Sequence, residues 1–463
     1  PKDPNIVYAQ AQYGWLVRYD KKSGERIGIQ PMPAKEEAAF RWNWDAPLLI
    51  SPHNNKRLYF CANKVFRSDD QGNTWKAISG DLSRQLDRNK LKVMDRVWGM
   101  DAVMKNKSTT IFGNIVAFDE SPVKEDLLFV GTDDGLIHIS SDAGGSWKKI
   151  DGVSGVPART YVNMLLASQH DENVVYAAFN NHKQGDFKPY LYVSNDKGAT
   201  WTSISSNLPE RGSVYSIAED HVNKNLLFAG TEFGVFFSVD GGKEWTQLKN
   251  GIPTIAARDL AIQKRENDLV VASFGRGFYV LDDYSALREL TPELLKKESH
   301  IFAIKDGLMY VETNPLGLRG KSAQGESYYT APNPEYGVTF TYYVKNKPQT
   351  IKAARQDKEK KIKKDGGDVF YPSFDEIRAE DNEEKPYLIF VIRDQQGNAV
   401  RKIKTGPKKG INRISWNFRL ASTSPIRLNY GKPGRYSMRD DGPMALPGKY
   451  TVEIHQVING AIQ

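Results

Sequence analysis

The chain has 463 residues, of which 40% are hydrophobic, so it is long enough for more than one domain and can bury a sizeable core. Its 64 Lys and Arg residues outnumber its 56 Asp and Glu residues, and the excess lies at the end, where residues 386–463 hold 13 basic and 4 acidic residues. No run approaches the ~20 apolar residues that a transmembrane helix needs, and the single cysteine, Cys61, excludes an internal disulfide framework.

The first element along the chain is a pair of β-rich runs within residues 5–20, followed by a turn that contains Asp20 and Gly24. The next unit ends in the pattern Ser-x-Asp-x-Gly-x-x-Trp, and three further units end in the same pattern. The turn with Asp20 and Gly24 is a degenerate copy of this pattern that lacks the Trp. The four copies are Ser68, Asp70, Gly72 and Trp75; Ser140, Asp142, Gly144 and Trp147; Ser194, Asp196, Gly198 and Trp201; and Ser238, Asp240, Gly242 and Trp245.

These four turns, called box turns below, have a chemistry that suits a tight connection between antiparallel strands. The Asp carboxylate can accept hydrogen bonds from N–H groups of its own turn, and the Gly supplies a positive φ. The Trp can fold back over the hairpin and bury its ring. We therefore predict that the box turns are structural.

The spacing of the box turns predicts the architecture. Successive box aspartates are 72, 54 and 44 residues apart, and the two excesses match polar insertions at 80–109 and 180–187. A period in the forties with four strands per repeat is typical of a β-propeller, whereas a sandwich or a β-helix lacks that four-strand period. Six units are visible. Their ranges are 5–20, 45–75, 114–147, 161–201, 214–245 and 258–281.

The two end units are shorter than the others. The first lacks an initial strand and the sixth stops after three strands, which is how a ring closed by strand exchange looks when it is cut. An open sheet edge recruits other chains, and proteins avoid it. We expect an upstream segment or a partner chain to complete the ring, which would then have seven or more blades.

After residue 283 the period ends. Residues 284–333 are interpreted as a crossing segment and linker, and residues 334–463 as a small β-sandwich of immunoglobulin type, because short alternating strands are separated by Gly turns. Within it, 345–385 is a charged insertion, basic and then acidic, which we expect to be solvated or mobile. The basic excess of the module is accompanied by no nucleic-acid motif, so a nucleic-acid partner is not predicted.

The box turns resemble the Asp-box, or BNR, repeat of sialidases, two-propeller xyloglucanases and sortilin-type Vps10 propellers, over residues 1 to about 283. The segments Gly131–Gly135 and Phe274–Asp282 resemble most closely bacterial secreted proteins of the sortilin-like or glycosyl-hydrolase-like kind. Gly410–Asn417 and Pro447–Tyr450 are similar to immunoglobulin-like modules of surface-protein tails. The resemblance implies a propeller that is secreted, periplasmic or on the surface of a bacterium, and it implies no particular activity.

A propeller binds through loops at one mouth of its channel, where the first strands of the blades begin. Aromatic residues beside Arg suit a sugar ring or a peptide, through stacking and charge-assisted hydrogen bonds. The alternative is that the same side chains brace turns and seal the channel. The candidate ligand-binding residues are Arg41, Trp42, Trp44, Arg159, Tyr161, Tyr215 and Arg258.

Catalysis would need a different arrangement. Glycoside hydrolysis uses two carboxylates about 5 to 10 Å apart, and Asp45, Asp259 and Asp101 are the candidates, although their spacing in sequence selects no pair. The seven histidines show no pairing typical of zinc, and no Gly-rich phosphate loop opens a helix, so neither a metal nor a cofactor is predicted. Two hypotheses remain: a binding scaffold for a glycan or a peptide or protein partner, which we favour, and a glycoside hydrolase.

Overall fold

The computed structural model describes residues 3–103, 112–312, 332–424 and 442–462. The predicted linker at 314–333 lies almost entirely outside these ranges. The chain divides into two compact units, Pro1–Tyr284 and Ser285–Gln463, which are described separately.

The described part of the first unit contains six antiparallel sheets that follow one another along the chain, and the strands of each sheet pair in chain order. We number the sheets blade 1 to blade 6. The first three hold β1 Ile6–Gln10, β2 Leu16–Asp20 and β3 Arg26–Gly28; β4 Leu48–Ile50, β5 Leu58–Cys61, β6 Val65–Ser68 and β7 Lys76–Ala77; and β8 Ile115–Glu120, β9 Leu128–Thr132, β10 Ile137–Ser140 and β11 Lys148–Ile150. The last three hold β12 Tyr161–Ala167, β13 Val175–Asn180, β14 Tyr190–Ser194 and β15 Thr202–Ser203; β16 Val214–Glu219, β17 Leu227–Thr231, β18 Gly234–Ser238 and β19 Thr246–Gln247; and β20 Ala257–Gln263, β21 Asp268–Ser273 and β22 Phe278–Leu281.

This is the predicted β-propeller of four-stranded blades, with three strands in blades 1 and 6. One apolar core fills the space between each pair of consecutive blades from blade 1 to blade 5. Cys61 lies in the core between blades 2 and 3. Short 3-10 helices occur at Gln12–Gly14, Arg88–Lys90, His182–Gln184, Tyr284–Glu289 and Leu294–Lys296.

The box turns have the local hydrogen bonds that their residues predict. In blade 4, the Asp196 carboxylate accepts from the Thr200 N–H at 2.7 Å and from the Thr200 hydroxyl at 2.6 Å. These bonds lower the pKa of Asp196 to about 2. The Ser194 hydroxyl donates to Asp196 and accepts from the N–H of Gly198, which has a φ of 77°. The other three box turns repeat the Ser and Asp bonds.

The box tryptophans reach beyond their own hairpins. The Trp75, Trp147 and Trp245 indoles donate to backbone carbonyls of the preceding blade, at 2.6, 3.1 and 2.7 Å. The accepting residues are Ile29, Ile78 and Ile204. Trp201 also packs on the core between its blade and the preceding one, but its buried Nε1 has no hydrogen-bond partner among the described residues. The box turns therefore connect neighbouring blades as well as the strands of one blade. The sequence of the hairpin alone did not predict this contact between blades.

Buried carboxylates make a second set of bonds between blades. Glu120 at the end of β8 accepts from the Tyr59 hydroxyl of blade 2, at 3.2 Å. Glu219 at the end of β16 accepts from the Tyr176 hydroxyl of blade 4, at 3.0 Å, and from the Ser168 hydroxyl. The same Tyr–Glu bond thus recurs at two equivalent seams, where it fixes how blade 2 sits on blade 3 and how blade 4 sits on blade 5.

The second unit is a two-sheet β-sandwich. One sheet has the order β23–β24–β27 and the other the order β26–β25–β28–β29, and Phe340, Phe390 and Trp416 lie in the core between them. Its immunoglobulin type stays a prediction. The elements are β23 Ser299–Ile301, β24 Val338–Val344, α1 Ile351–Lys364, α2 Phe374–Asn382, β25 Tyr387–Arg393, β26 Ala399–Thr405, β27 Gly410–Trp416, β28 Thr451–Ile458 and β29 Ala461–Ile462.

The charged insertion at 345–385 is more ordered than we expected, since it forms the two helices α1 and α2. Thr350 caps the start of α1, and Ser373 with Glu376 forms a capping box at the start of α2. The Arg355 guanidinium bonds the Glu380 carboxylate at 2.5 Å and so ties the helices together. Within the described ranges, no helix is long and apolar enough to cross a membrane.

We predict that Tyr176→Phe lowers the free energy of unfolding by about 1–3 kcal/mol, because the buried Glu219 carboxylate loses one of its donors. The matched control is Tyr8→Phe in blade 1. The Tyr8 hydroxyl is buried without a hydrogen-bond partner among the described residues, so its removal should be neutral or stabilising. Urea denaturation measures both changes. Equal losses in the two variants would contradict the assignment of the Tyr–Glu bond as a seam between blades.

Candidate functional site

The strand register separates the two edges of each blade. In blade 5, Val214 at the start of β16 pairs with Thr231, which pairs with Gly234 at the start of β18. At the opposite edge, Glu219 pairs with Leu227, which pairs with the box residue Ser238. We call the first edge the mouth edge. It holds the starts of the first strands and the turns between second and third strands, and the box turns lie at the other edge.

A stack of three side chains at the mouth edge joins blades 5 and 6. The Arg258 guanidinium carbon lies 4.0 Å from the centroid of the Tyr215 ring and 4.9 Å from that of Phe274. Arg258 and Phe274 are exposed, whereas Tyr215 is buried. The Tyr215 hydroxyl donates to the Glu232 carboxylate. Burial, and then this bond, raise the pKa of Tyr215 to about 12.

A second group lies around Tyr161 at the start of β12. The Lys183 ammonium is 5.2 Å from the centroid of the Tyr161 ring. Burial raises the pKa of Tyr161 above its usual value, and the negative charges of Asp133 and Asp45 raise it further. Blades 2, 3 and 4 thus contribute charged groups to one aromatic side chain.

The insertion in blade 4 connects the two groups. It forms the 3-10 helix His182–Gln184, and Asp186 secures it by accepting from the Asn181 amide at 3.1 Å and from the Tyr190 hydroxyl at 2.6 Å. Burial lowers the pKa of His182, and the nearby cations Lys183 and Arg258 lower it further. The insertion therefore places Lys183 over the Tyr161 ring and His182 within reach of the positive charge of Arg258.

Several predicted residues have a different role. Trp42 is buried in the core between blades 1 and 2, 4.6 Å from the Phe60 ring, so we remove it from the candidate site. Arg41 is half-buried and donates to the Asp81 carboxylate at 2.6 Å and to the Gly113 carbonyl at 3.1 Å. It braces the long insertion that follows blade 2, and we remove it as well.

Of the remaining predicted residues, Trp44, Arg159 and Arg258 are exposed, Tyr161 is half-buried and Tyr215 is buried. Trp44 is 44% exposed and meets the Tyr13 ring edge-on at 5.4 Å. Arg159 is exposed and has a φ of 61°. The mouth edge thus retains Trp44, Arg159, Tyr161, Tyr215 and Arg258 from the sequence prediction. It adds residues that the sequence did not single out, namely Asp133, His182, Lys183, Glu232 and Phe274.

The three candidate carboxylates lie on different elements. Asp259 follows Arg258 in β20 and accepts the Leu260 N–H at 2.9 Å. Crowding by neighbouring protein atoms raises the pKa of Asp259, although part of the side chain reaches solvent. The negative charge of Asp45 acts on Tyr161, and Asp101 is exposed in the long insertion. Among the described residues, no group of three or more His, Cys, Asp or Glu side chains is arranged to hold a metal ion.

Asp133, in the turn between β9 and β10, is the most perturbed carboxylate of this edge. It is buried and accepts from the N–H groups of Asn114 at 2.8 Å and Gly113 at 3.0 Å. Burial outweighs these bonds and raises the pKa of Asp133 to about 7. The adjacent Asp134 carboxylate accepts from the Thr132 hydroxyl and the Arg84 N–H, so this acidic turn is a hydrogen-bonded one.

Comparisons with known proteins give low similarity. No protein-family model matches the chain. It is 23% identical over 219 residues to the vacuolar protein sorting/targeting protein PEP1 of Saccharomyces cerevisiae, a match that covers 37% of this chain and 13% of that protein. It is 24% identical over 217 residues to the xyloglucanase Xgh74A of Acetivibrio thermocellus, covering 43% of this chain and 25% of that protein. The chain therefore spans a quarter or less of these relatives.

A similar solved structure is the GH74 xyloglucanase of Xanthomonas campestris. The TM-score is 0.43 at 17% identity, and the match covers 67% of this chain and 48% of that one. By its own sheet order the chain is a β-propeller, and it has low-identity likeness to glycosyl-hydrolase-like and Vps10-like proteins. These values say nothing about its activity.

We predict that Asp133→Asn changes how stability depends on pH. With a pKa of about 7 in the folded chain and ~3.9 in the unfolded chain, wild-type Asp133 keeps its proton up to a higher pH when the chain is folded. Its contribution to the free energy of unfolding is therefore fully favourable below pH ~4, falls as the pH rises, and is lost above pH ~7. This decrease in the free energy of unfolding is on the order of 2–4 kcal/mol. The Asn variant has no carboxyl group at this position and should not show the decrease.

Urea denaturation at pH 5 and pH 8 measures this difference. The control is Asp101→Asn, which changes an exposed carboxylate and should keep the wild-type pH dependence. An Asp133→Asn variant with the wild-type pH dependence would contradict the prediction.

Proposed function

We propose that this chain is a binding scaffold that captures a glycan or a peptide or protein partner at the mouth edge of the propeller. The observation that carries the proposal is the stack of Arg258 between Tyr215 and Phe274. An exposed guanidinium held by two aromatic rings loses little conformational freedom when it binds, and its planar N–H groups suit hydroxyl, carbonyl or carboxylate oxygens.

The surroundings of the stack support the same proposal. His182 and Lys183 from the insertion and the exposed Trp44 give further polar and apolar contacts at this edge. Tyrosine, tryptophan and arginine dominate the binding energy of many interfaces, because each combines a large contact area with directional hydrogen bonds. Tyr215 and Arg258 belong to strands of neighbouring blades, and His182 and Lys183 belong to a hydrogen-bonded insertion, so the site is preorganised.

We further propose that the propeller belongs to the Asp-box class and that the protein is secreted, periplasmic or on the surface of a bacterium. The hydrogen bonds of the four box turns support the first part. The resemblance to bacterial secreted propellers supports the second. In this proposal the β-sandwich is a docking module of immunoglobulin type.

A glycoside hydrolase is the second candidate. The raised pKa of Asp259, next to the Arg258 stack, favours it, because a general acid needs a carboxyl group that keeps its proton at higher pH. The likeness to proteins named xyloglucanases makes xyloglucan a suitable first substrate. Release of reducing ends from xyloglucan, abolished by Asp259→Asn or Asp45→Asn, would replace the scaffold proposal with this one.

We predict that Arg258→Ala weakens ligand binding at least about tenfold, because truncating a central Arg contact costs 1.4 kcal/mol or more. The matched control is Arg265→Ala, which removes an exposed Arg at the other edge of the same blade. Titration calorimetry with xyloglucan oligosaccharides and with a set of extended peptides measures both. Wild-type affinity in the Arg258 variant, for every ligand that the chain binds, would refute the proposal.

A strand from outside blade 6 is proposed to complete that blade. Its third strand, β22, exposes Phe278 by 77% and Val280 by 53%, whereas the third strands of blades 2 to 5 are mostly buried. A strand from an upstream segment or a partner chain, hydrogen-bonded along the free side of β22, would cover both side chains.

We therefore expect fast amide hydrogen exchange at Phe278–Leu281 in the chain of 463 residues alone. Exchange at the same amides should be slow in the protein isolated from its natural source. Equal exchange rates in the two preparations would exclude an added strand.

A further inference from the structure

Exposed cations gather at the mouth edge of blades 4 to 6. They lie before the first strands of blades 4 and 5, in and just after the insertion of blade 4, at the start of β20, and in the turn between β21 and β22. None of them pairs with a carboxylate among the described residues. The six are Arg159, Lys183, Lys188, Arg211, Arg258 and Arg276.

Arginines at the opposite edge, where the box turns lie, have carboxylate partners. Arg57 bonds Asp69 at 2.8 Å and Glu125 at 2.7 Å, and Arg265 bonds Glu266 at 2.9 Å. Like charges gathered on one edge without partners repel each other, which folding alone does not favour. The positive charges of the mouth edge are therefore left for a ligand.

Carboxylates of the same edge of blades 4 to 6 are fewer than the cations. Asp186 and Glu232 each accept a hydrogen bond from a tyrosine hydroxyl of their own blade. Glu210 and Asp259 are exposed. The edge thus keeps a positive excess even when all four carboxylates are counted.

An exposed aromatic ring lies between two of these cations in blade 6. The Arg258 guanidinium carbon is 4.9 Å from the centroid of the Phe274 ring, and this ring is 67% exposed. Arg276 follows two residues later in the same turn, which the Ser273 hydroxyl closes by donating to the Gly277 carbonyl at 2.7 Å. The turn therefore presents an apolar ring face and two guanidinium groups together.

Blade 5 repeats this combination beside the stack. Phe233, in the turn between β17 and β18, is 38% exposed, and a Cβ placed on Gly212 would lie 3.4 Å from its ring. Arg211 is the residue before Gly212. The Glu232 N–H donates to the Ser213 carbonyl at 3.0 Å and holds the two segments together.

We propose that the ligand of the mouth edge is a polysaccharide of uronic acids. Its carboxylates would meet Arg211, Arg258 and Arg276, and its sugar rings would cover Phe233 and Phe274. This inference rests on the proposed capture of a ligand at the mouth edge, and it names the class of that ligand.

A uronic acid unit fits both features of the edge, because it carries a carboxylate and an apolar C–H face on one ring. Planar guanidinium groups bind carboxylates through two parallel hydrogen bonds, and the C–H face can stack on an aromatic ring. An Asp or Glu side chain brings its carboxylate on only one or two methylene groups, so an acidic peptide would leave the aromatic rings uncovered.

Titration calorimetry with oligogalacturonate and with its methyl ester tests the proposal in the full chain. The ester keeps the sugar rings and removes the negative charges. The acid should therefore bind at least about tenfold more tightly than the ester, and added salt should weaken its binding.

A pair of charge variants locates the binding. Arg211→Glu with Arg276→Glu should weaken oligogalacturonate binding at least about tenfold, and its melting temperature should stay at the wild-type value because both side chains are exposed. The matched control is Lys224→Glu with Lys243→Glu, which changes the net charge equally at the box edge of blade 5 and should bind as the wild type does.

Four results would overturn the inference: no binding of oligogalacturonate, equal binding of the acid and the ester, equal effects of the two pairs of charge variants, or binding of poly-glutamate as tight as that of oligogalacturonate, which indicates an acidic peptide. Equal binding of the acid and the ester that Arg258→Ala weakens would leave the binding scaffold intact and remove only the ligand class.

Discussion

The central strands of the blades are apolar on both faces, and this constraint governs the rest of the propeller. Every residue of β9, Leu128–Thr132, and of β17, Leu227–Thr231, is buried. A sheet with two apolar faces is stable only between two neighbours, so no complete blade of this chain can be regarded as an independent unit. The polar groups at the seams then determine how neighbouring blades align. The indoles of three box tryptophans donate to backbone carbonyls of the preceding blade. Glu120 and Glu219, at the ends of first strands, accept from tyrosine hydroxyls of the preceding blade.

The same construction explains why the mouth edge can hold a binding site. Tyr215 lies in a strand of blade 5 and Arg258 in a strand of blade 6, so the two side chains meet across a seam without a flexible loop. The insertion of blade 4 adds a short helix tied down by Asp186, which places Lys183 beside Tyr161 of the same blade and His182 within reach of the charge of Arg258 in blade 6. The box turns occupy the opposite edge, so structural and binding roles are separated along each strand.

The second unit combines a conventional sandwich core with an unusual insertion. Phe340, Phe390 and Trp416 form a core that needs nothing from the helices α1 and α2. The hairpin of these two helices lies outside that core. Its caps and the Arg355 bonds hold it in shape, while the connection between the helices leaves the aromatic rings of residues 370 and 371 in solvent, an arrangement that stability alone does not favour.

The sequence by itself determined the repeat, the turn chemistry and the fold class, because each box turn is closed by residues within eight positions of one another. Ser194, Asp196 and Gly198 bond within their own turn, so their pattern can be recognised in any context. The tertiary structure alone decided which aromatic residues reach solvent. Trp42 and Trp44 are two residues apart and similar in sequence context, yet Trp42 packs on Phe60 and Trp44 is exposed beside Tyr13. Likewise, His182 lies within reach of the charge of Arg258 only because blades 4, 5 and 6 pack in order, and such interactions between distant segments leave no periodic signal in the sequence.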